Sequence, residues 1–205
     1  MNRRSFIYGA AAVALAPARA CAELMAPLTD APGRAFVPHP QFVAQQCVDW
    51  CWAASCSMIF GTLGHPIDQK KVVDFLYSDR ACAPAPKTGD LTNLLSTSWV
   101  DDRGVRFRPR IEAGFDEENG IVAINDALIV AELTQKRPLL YANKDHCMVI
   151  VDADFVATPR GPRIVAMGAL DPWRSSAAPY RRLSEAERRP AFLGGEMMYL
   201  AAVRI

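Results

Sequence analysis

Cys51 opens the apolar run Cys51-Trp52-Ala53-Ala54-Ser55-Cys56, with Gln45 and Gln46 a few residues upstream. A cysteine at the start of a buried helix has its sulfur beside unpaired backbone N–H groups and the positive end of the helix dipole, which favours the thiolate. A thiolate nucleophile also needs a base within reach and donors for the oxyanion that forms on attack. The search for the base is short, because only His39, His65 and His146 exist. His39 stands between Pro38 and Pro40, and His65 in Gly64-His65-Pro66 reads as a helix stop, so both are expected on the surface. His146 heads the strand-like run Cys147-Met148-Val149-Ile150-Val151, which would hold the imidazole rigidly. A third group usually fixes the base's tautomer, and Asp171 ends the next apolar strand, in Leu170-Asp171-Pro172-Trp173. Two strands in hairpin order bring the start of one beside the end of the next, so His146 and Asp171 are expected neighbours.

The other chemistry-bearing residues are weaker candidates. Without Cys21, five cysteines remain, Cys47, Cys51, Cys56, Cys82 and Cys147, so at least one thiol stays unpaired. With Cys51 free the other four allow three pairings, and Cys47 with Cys82 is the expected one because both fall in loops. Cys147 follows His146, and strand alternation turns it to the opposite face, as a buried thiol or half of a disulfide. No spacing matches a structural zinc site, and neither metal nor cofactor is expected. Asp116-Glu117-Glu118 lacks an adjacent histidine and reads as a solvated loop. Asp145 reads as a solvated strand end, and Arg181-Arg182 as surface charge.

Taken in order, Gln45, Cys51-Trp52-Ala53-Ala54-Ser55, His146 before an apolar strand and Asp171-Pro172-Trp173 resemble the papain-like cysteine proteases, in particular the small bacterial branch of staphopain-like and effector-type enzymes. The likeness runs through most of the chain after residue 22, and its first block is the specific part. It implies Cys51 as nucleophile, His146 as base, Asp171 as orienter, Gln45 as oxyanion donor, and Trp52 and Trp173 as shielding or cleft residues. Gln46 is a rival to Gln45, and the six-residue offset to the cysteine favours Gln45. The chain departs from the plant-type pattern in having Val48 three before the nucleophile, with Cys47 one further back. Trp50 and Asp145 replace small residues.

The elements that must position these groups follow from periodicity. Residues 51 to 63 are apolar almost all round, which marks a helix buried on most sides and stopped near Gly61 or Gly64. Asp68 caps a second helix, Asp90 a third that carries Leu91, Leu94, Leu95 and Trp99, and a fourth runs from about Asn125 to Lys136. Strands are expected at Val105 to Arg108, Leu139 to Ala142, Cys147 to Phe155, Arg163 to Leu170 and Met197 to Val203. Helices first and antiparallel strands second give an α+β class. The resemblance makes it papain-like, with a buried central helix starting at the nucleophile.

With 205 residues and 51% hydrophobic content, the chain is long enough for one domain with a core of its own. Its 23 basic and 22 acidic side chains nearly cancel without a clustered basic patch, so nucleic acid is not an expected partner. Residues 1–22 hold Arg3, Arg4 and Arg19, no acid, and an uncharged run from Phe6 to Ala16 followed by A-x-A-like sites, which reads as an export signal. Its Arg-Arg-Ser-Phe-Ile start resembles the twin-arginine type, with Sec-type export as the alternative. The run reaches about 16 Å as a helix against roughly 30 Å of hydrocarbon, so no lasting membrane anchor is expected. Residues 23–44, with Pro27, Pro32, Pro38 and Pro40, read as an arm, and 45–205 as the protease domain.

These readings lead to an expected function: an exported, periplasmic or secreted cysteine peptidase, monomeric, acting on a peptide or protein through an acyl-enzyme. Its control would come from narrow specificity, from the Pro-rich arm, or from a separate inhibitor or activator. A thiol amidase or acyltransferase on the same triad, or a non-catalytic module on a protease fold, are the alternatives.

Overall fold

The computed structural model describes residues 31–78, 82–173 and 178–205. The expected export signal, residues 1–22, lies outside the described residues, as does Cys21. Residues 139–142, 147–151 and 199–203 are apolar without interruption, and the reason is that the sheet they form is covered on both faces. Strands β6 (Leu139–Ala142), β7 (Cys147–Thr158) and β10 (Tyr199–Arg204) alternate between two cores. Leu140, Ala142, Cys147, Val149, Val151, Tyr199, Ala201 and Val203 face one of them. Leu139, Tyr141, Met148, Ile150, Leu200 and Ala202 face the other.

The sheet is antiparallel throughout, in the order β5, β4, β10, β6, β7, β8, β9, where β4 is Arg110–Asp116, β5 Ile121–Val122, β8 Gly161–Leu170 and β9 Tyr180–Arg182. On the first face lie α1 (Cys51–Thr62), α2 (Gln69–Tyr77) and α3 (Thr88–Leu94); on the second lies α4 (Asp126–Thr134). The short α5 (Glu185–Arg188) follows β9. A two-stranded ribbon, β2 (Trp99–Val100) with β3 (Arg106–Phe107), flanks the helices. The class is therefore α+β. No helix among the described residues is long and apolar enough to cross a membrane.

Helix α1 is buried from Cys51 to Phe60, as an all-round apolar sequence requires. It ends where Gly64 takes a left-handed φ of 94°, and a Cβ at Gly61 would collide with the Gln41 side chain. Asp68 caps α2 by accepting from the Lys70 N–H, and Asn125 caps α4 by accepting from the Leu128 N–H.

Four expectations change. Helix α3 starts at Thr88, so Asp90 lies within its first turn, and Trp99 belongs to β2. The described part of the arm joins the sheet, because β1 (Pro32–Phe36) pairs antiparallel with the outer half of β7. Asp116 is not in a solvated loop: it ends β4, is buried, and accepts from the Thr88 hydroxyl at 2.8 Å. Glu118 accepts from the Thr88 N–H at 3.2 Å, so the two acids pin the start of α3. His65 is not a bare surface residue either; its Nδ1 meets Asp101 at 3.2 Å and its ring stacks on Phe107.

Candidate active site

Two structural units meet at the site: the loop that delivers Cys51 to the start of α1, and the sheet end formed by the β6–β7 turn and the exit of β8. The loop is built to hold its shape. A disulfide joins Cys47 to Cys82, with Cα atoms 5.4 Å apart, and closes a 35-residue separation. By the chain-entropy treatment, a loop of that size contributes about 3 to 4 kcal/mol of stability. The Gln45 N–H donates to the Pro172 carbonyl at 2.8 Å, so the cysteine loop is tied directly to the segment that carries Asp171. The Gln69 side chain bridges in addition, donating to the Ala44 carbonyl and accepting from the Gln46 N–H.

Gln45 is buried, and its amide nitrogen donates to the carbonyls of Cys47 at 2.9 Å and Val48 at 2.6 Å. Both amide hydrogens are thereby used inside the loop, and Gln45 braces the turn that presents Cys51. Its Oε1 is buried without a hydrogen-bond partner. Donors for an oxyanion remain at α1 itself. Trp50 at its N-cap position offers no side-chain cap, so the first-turn N–H groups keep their capacity.

On the sheet side, Asn143 closes the β6–β7 turn. Its Oδ1 accepts from the N–H groups of Asp145 and His146, and its own N–H donates to the His146 carbonyl. The register Val149↔Leu170 then carries the exit of β8 back to the start of β7. His146 Nε2 lies 2.7 Å from Asp171 Oδ1. The same oxygen accepts from the Trp173 N–H at 2.9 Å, a turn that the fixed backbone of Pro172 favours. The Trp173 indole meets the imidazole edge-on, with centroids 6.2 Å apart, while the indole is 43% exposed.

The electrostatics follow from this packing. The Cys147 thiol donates to the Cys51 sulfur, and with His146 it outweighs burial, bringing Cys51 down to about 5. Burial alone would lower His146, but Asp171 and the Cys51 anion raise it to about 9. Burial opposes ionisation of Asp171 as well, yet the bonds from His146 and the Trp173 N–H hold its carboxyl below the ordinary value. Between about pH 5 and about pH 9 the pair is thiolate and imidazolium. Cys56, wholly buried, is pushed up to about 12 by desolvation and stays a thiol.

A cleft of about 320 Å³ opens beside the sulfur, lined by Cys51, Leu91, Asp145, His146, Cys147 and Met198, among others. The structure thus brings Cys51, His146, Asp171 and Trp173 together. Trp52 is elsewhere: it is fully buried and packs against Tyr77, since the second residue of a helix buried on every side faces the core. Trp50 is also buried, and Asp145 is exposed.

Two residues in contact with the site carried no signal for it in the sequence. Of the two roles open to Cys147, the structure has the buried thiol, and alternation, which turns it from the neighbouring side chains, gave no hint that α1 sets Cys51 against it. Arg181, read as surface charge, donates from Nε to Asp171 Oδ2 at 3.3 Å. Among the described residues no three His, Cys, Asp or Glu side chains converge as metal ligands would. No protein-family model matches the chain, no curated protein matches it in sequence, and no solved structure matches it in fold.

Proposed function

We propose that this chain is an exported cysteine peptidase of the papain-like kind. The observation that carries the reading is the thiol of Cys51 at the start of α1, sharing one open cleft with His146, which lies 2.7 Å from Asp171. The order of parts, a buried helix beginning at the cysteine followed by an antiparallel sheet bearing histidine and aspartate, supports the papain-like assignment. The Cys47–Cys82 disulfide supports maturation in an oxidising compartment, periplasmic or extracellular.

The Cys51 thiolate attacks the carbonyl carbon of a peptide bond, and the oxyanion that forms faces the free N–H groups of the first turn of α1. Collapse breaks the C–N bond, and the leaving amine takes its proton from the His146 imidazolium, leaving a thioester on Cys51. Water then attacks the thioester while neutral His146 takes its proton. The acid departs and the thiolate–imidazolium pair is restored. Asp171 keeps one imidazole nitrogen hydrogen-bonded throughout, so the other faces the sulfur.

The test is hydrolysis of a mixed peptide library by wild-type protein and by Cys51→Ala, with an epoxide or vinyl sulfone inactivator mapped by peptide mass spectrometry. Cleavage that requires Cys51, and an adduct on its sulfur, are expected. Absence of both overturns the reading. Product that forms only when a primary amine is added makes the protein an acyltransferase on the same triad.

A further inference from the structure

Beyond the triad, the Arg181 guanidinium touches the orienting carboxylate. Strand β9 returns alongside the exit of β8, with Leu170↔Tyr180 in register and the Asp171 N–H bonded to the Pro179 carbonyl, which sets Arg181 beside Asp171. Its guanidinium serves two acids at once. Nε donates to Asp171 Oδ2 at 3.3 Å, Nη1 donates to Glu187 Oε2 at 3.0 Å, and Nη2 donates to Glu187 Oε1.

Glu187 is itself fixed. It completes a capping box with Ser184 at the start of α5, and its carbonyl accepts from the Tyr141 hydroxyl at 2.9 Å. Tyr141 is fully buried in β6, the strand that leads into the turn bearing His146. A continuous chain of contacts therefore runs from the sheet core through Tyr141, Glu187 and Arg181 to Asp171, and from Asp171 to His146.

We infer that Arg181 is a positioning residue for the proposed peptidase reaction, fixing the plane of the Asp171 carboxylate on which His146 depends. The inference rests on the function proposed above. The terminal torsion of an aspartate is soft, so a carboxylate anchored through one oxygen alone swings. Here Oδ1 takes His146 and the Trp173 N–H while Oδ2 takes Arg181, and the swing is stopped. The bidentate Glu187 matches the charge of Arg181, so what reaches His146 is orientation more than field. Only a planar fork can serve two carboxylates in this way; a lysine offers a single point charge.

The experiment compares wild-type protein with Arg181→Met, Arg181→Lys and Glu187→Gln, each normalised by titrating reactive Cys51 with the mapped inactivator. For Arg181→Met, kcat per titrated site is expected to fall about tenfold with KM within about twofold, because Arg181 does not line the cleft. The alkaline limb of the kcat/KM profile, near pH 9 in the wild type, is expected to move down by about one unit as His146 loses its fixed acceptor. Arg181→Lys and Glu187→Gln should fall between, in the same direction, and they decide the matter if the methionine variant does not fold. A variant set with lowered thermal stability but unchanged kcat and unchanged alkaline limb overturns the inference and makes the cluster a structural brace. A change in KM alone overturns it too. Wild-type protein without Cys51-dependent hydrolysis overturns the proposed function, and the role of Arg181 with it.

Discussion

Among the described residues there are two histidine–aspartate pairs, and they are built for opposite ends. In His65–Asp101 the carboxylate is sealed: Asp101 is buried, accepts from the N–H groups of Arg103 and Val105 and from the Arg103 guanidinium, and His65 stacks on Phe107 with centroids 4.3 Å apart. Every partner in that cluster is a donor satisfied on the spot, and no nucleophile lies among its partners. In His146–Asp171 the bond is shorter, 2.7 Å against 3.2 Å, and both side chains stay partly open to solvent. The imidazole also meets a sulfur. The comparison teaches that the pair by itself has no function. What lies on the free face of the imidazole decides whether it braces a turn or moves a proton.

Cutting into the second pair should cost the most. Cys51→Ala is expected to remove hydrolysis altogether, a fall of at least about 10⁴-fold in kcat/KM, read from cleavage of the best library peptide. His146→Ala should fall nearly as far, while His65→Ala leaves kcat/KM within about twofold.

Asp171→Ala comes next, with an expected loss of about 10² in kcat, and Asp171→Asn less, since an amide oxygen still accepts from Nε2. The pH profile gives the finer reading. Cys51 is lowered to about 5, so activity grows in as pH rises through that value; His146 is raised to about 9, so activity is lost as pH rises through it. Cys147→Ala removes the largest contribution to the lowered Cys51 value, and its acid limb should move up by about one unit with the alkaline limb unmoved. Cys147→Ser, which keeps a donor, should move it less.

Breaking the first pair reverses the pattern. Asp101→Asn leaves the activity profile in place and lowers Tm, by roughly 3 to 8 °C in a thermal melt followed by circular dichroism. Asp171→Ala should show the opposite: a large loss of rate for a small change in Tm.

The helix that begins at Cys51 was legible because an apolar run without a polar face has one stable home, and the strands bearing His146 and Asp171 because short apolar runs end at each residue. Their meeting followed from hairpin order, which is local information. What was hidden is long-range. β1 reads as a proline-rich arm because its partner is over a hundred residues away, and Asp116 reads as solvent-exposed because its Thr88 contact spans 28 positions. Arg181 belongs to a run of charges whose burial depends on β9 folding back onto β8. Gln45 was singled out only through resemblance, and as an oxyanion donor; its bonds to Cys47 and Val48 depend on a turn that composition does not specify.

The central claim is that Cys51 is a thiolate at neutral pH because of what surrounds it. The most direct measurement is the second-order rate of iodoacetamide alkylation at Cys51 from pH 4 to 9, located by peptide mass spectrometry, in wild-type protein and in His146→Ala. The account predicts fast wild-type labelling with a rise centred near pH 5, and a rate at pH 6 at least about tenfold lower in the variant. Labelling that rises only near the ordinary thiol value of about 8.5 in both proteins, or Cys51 recovered in a disulfide, would contradict it.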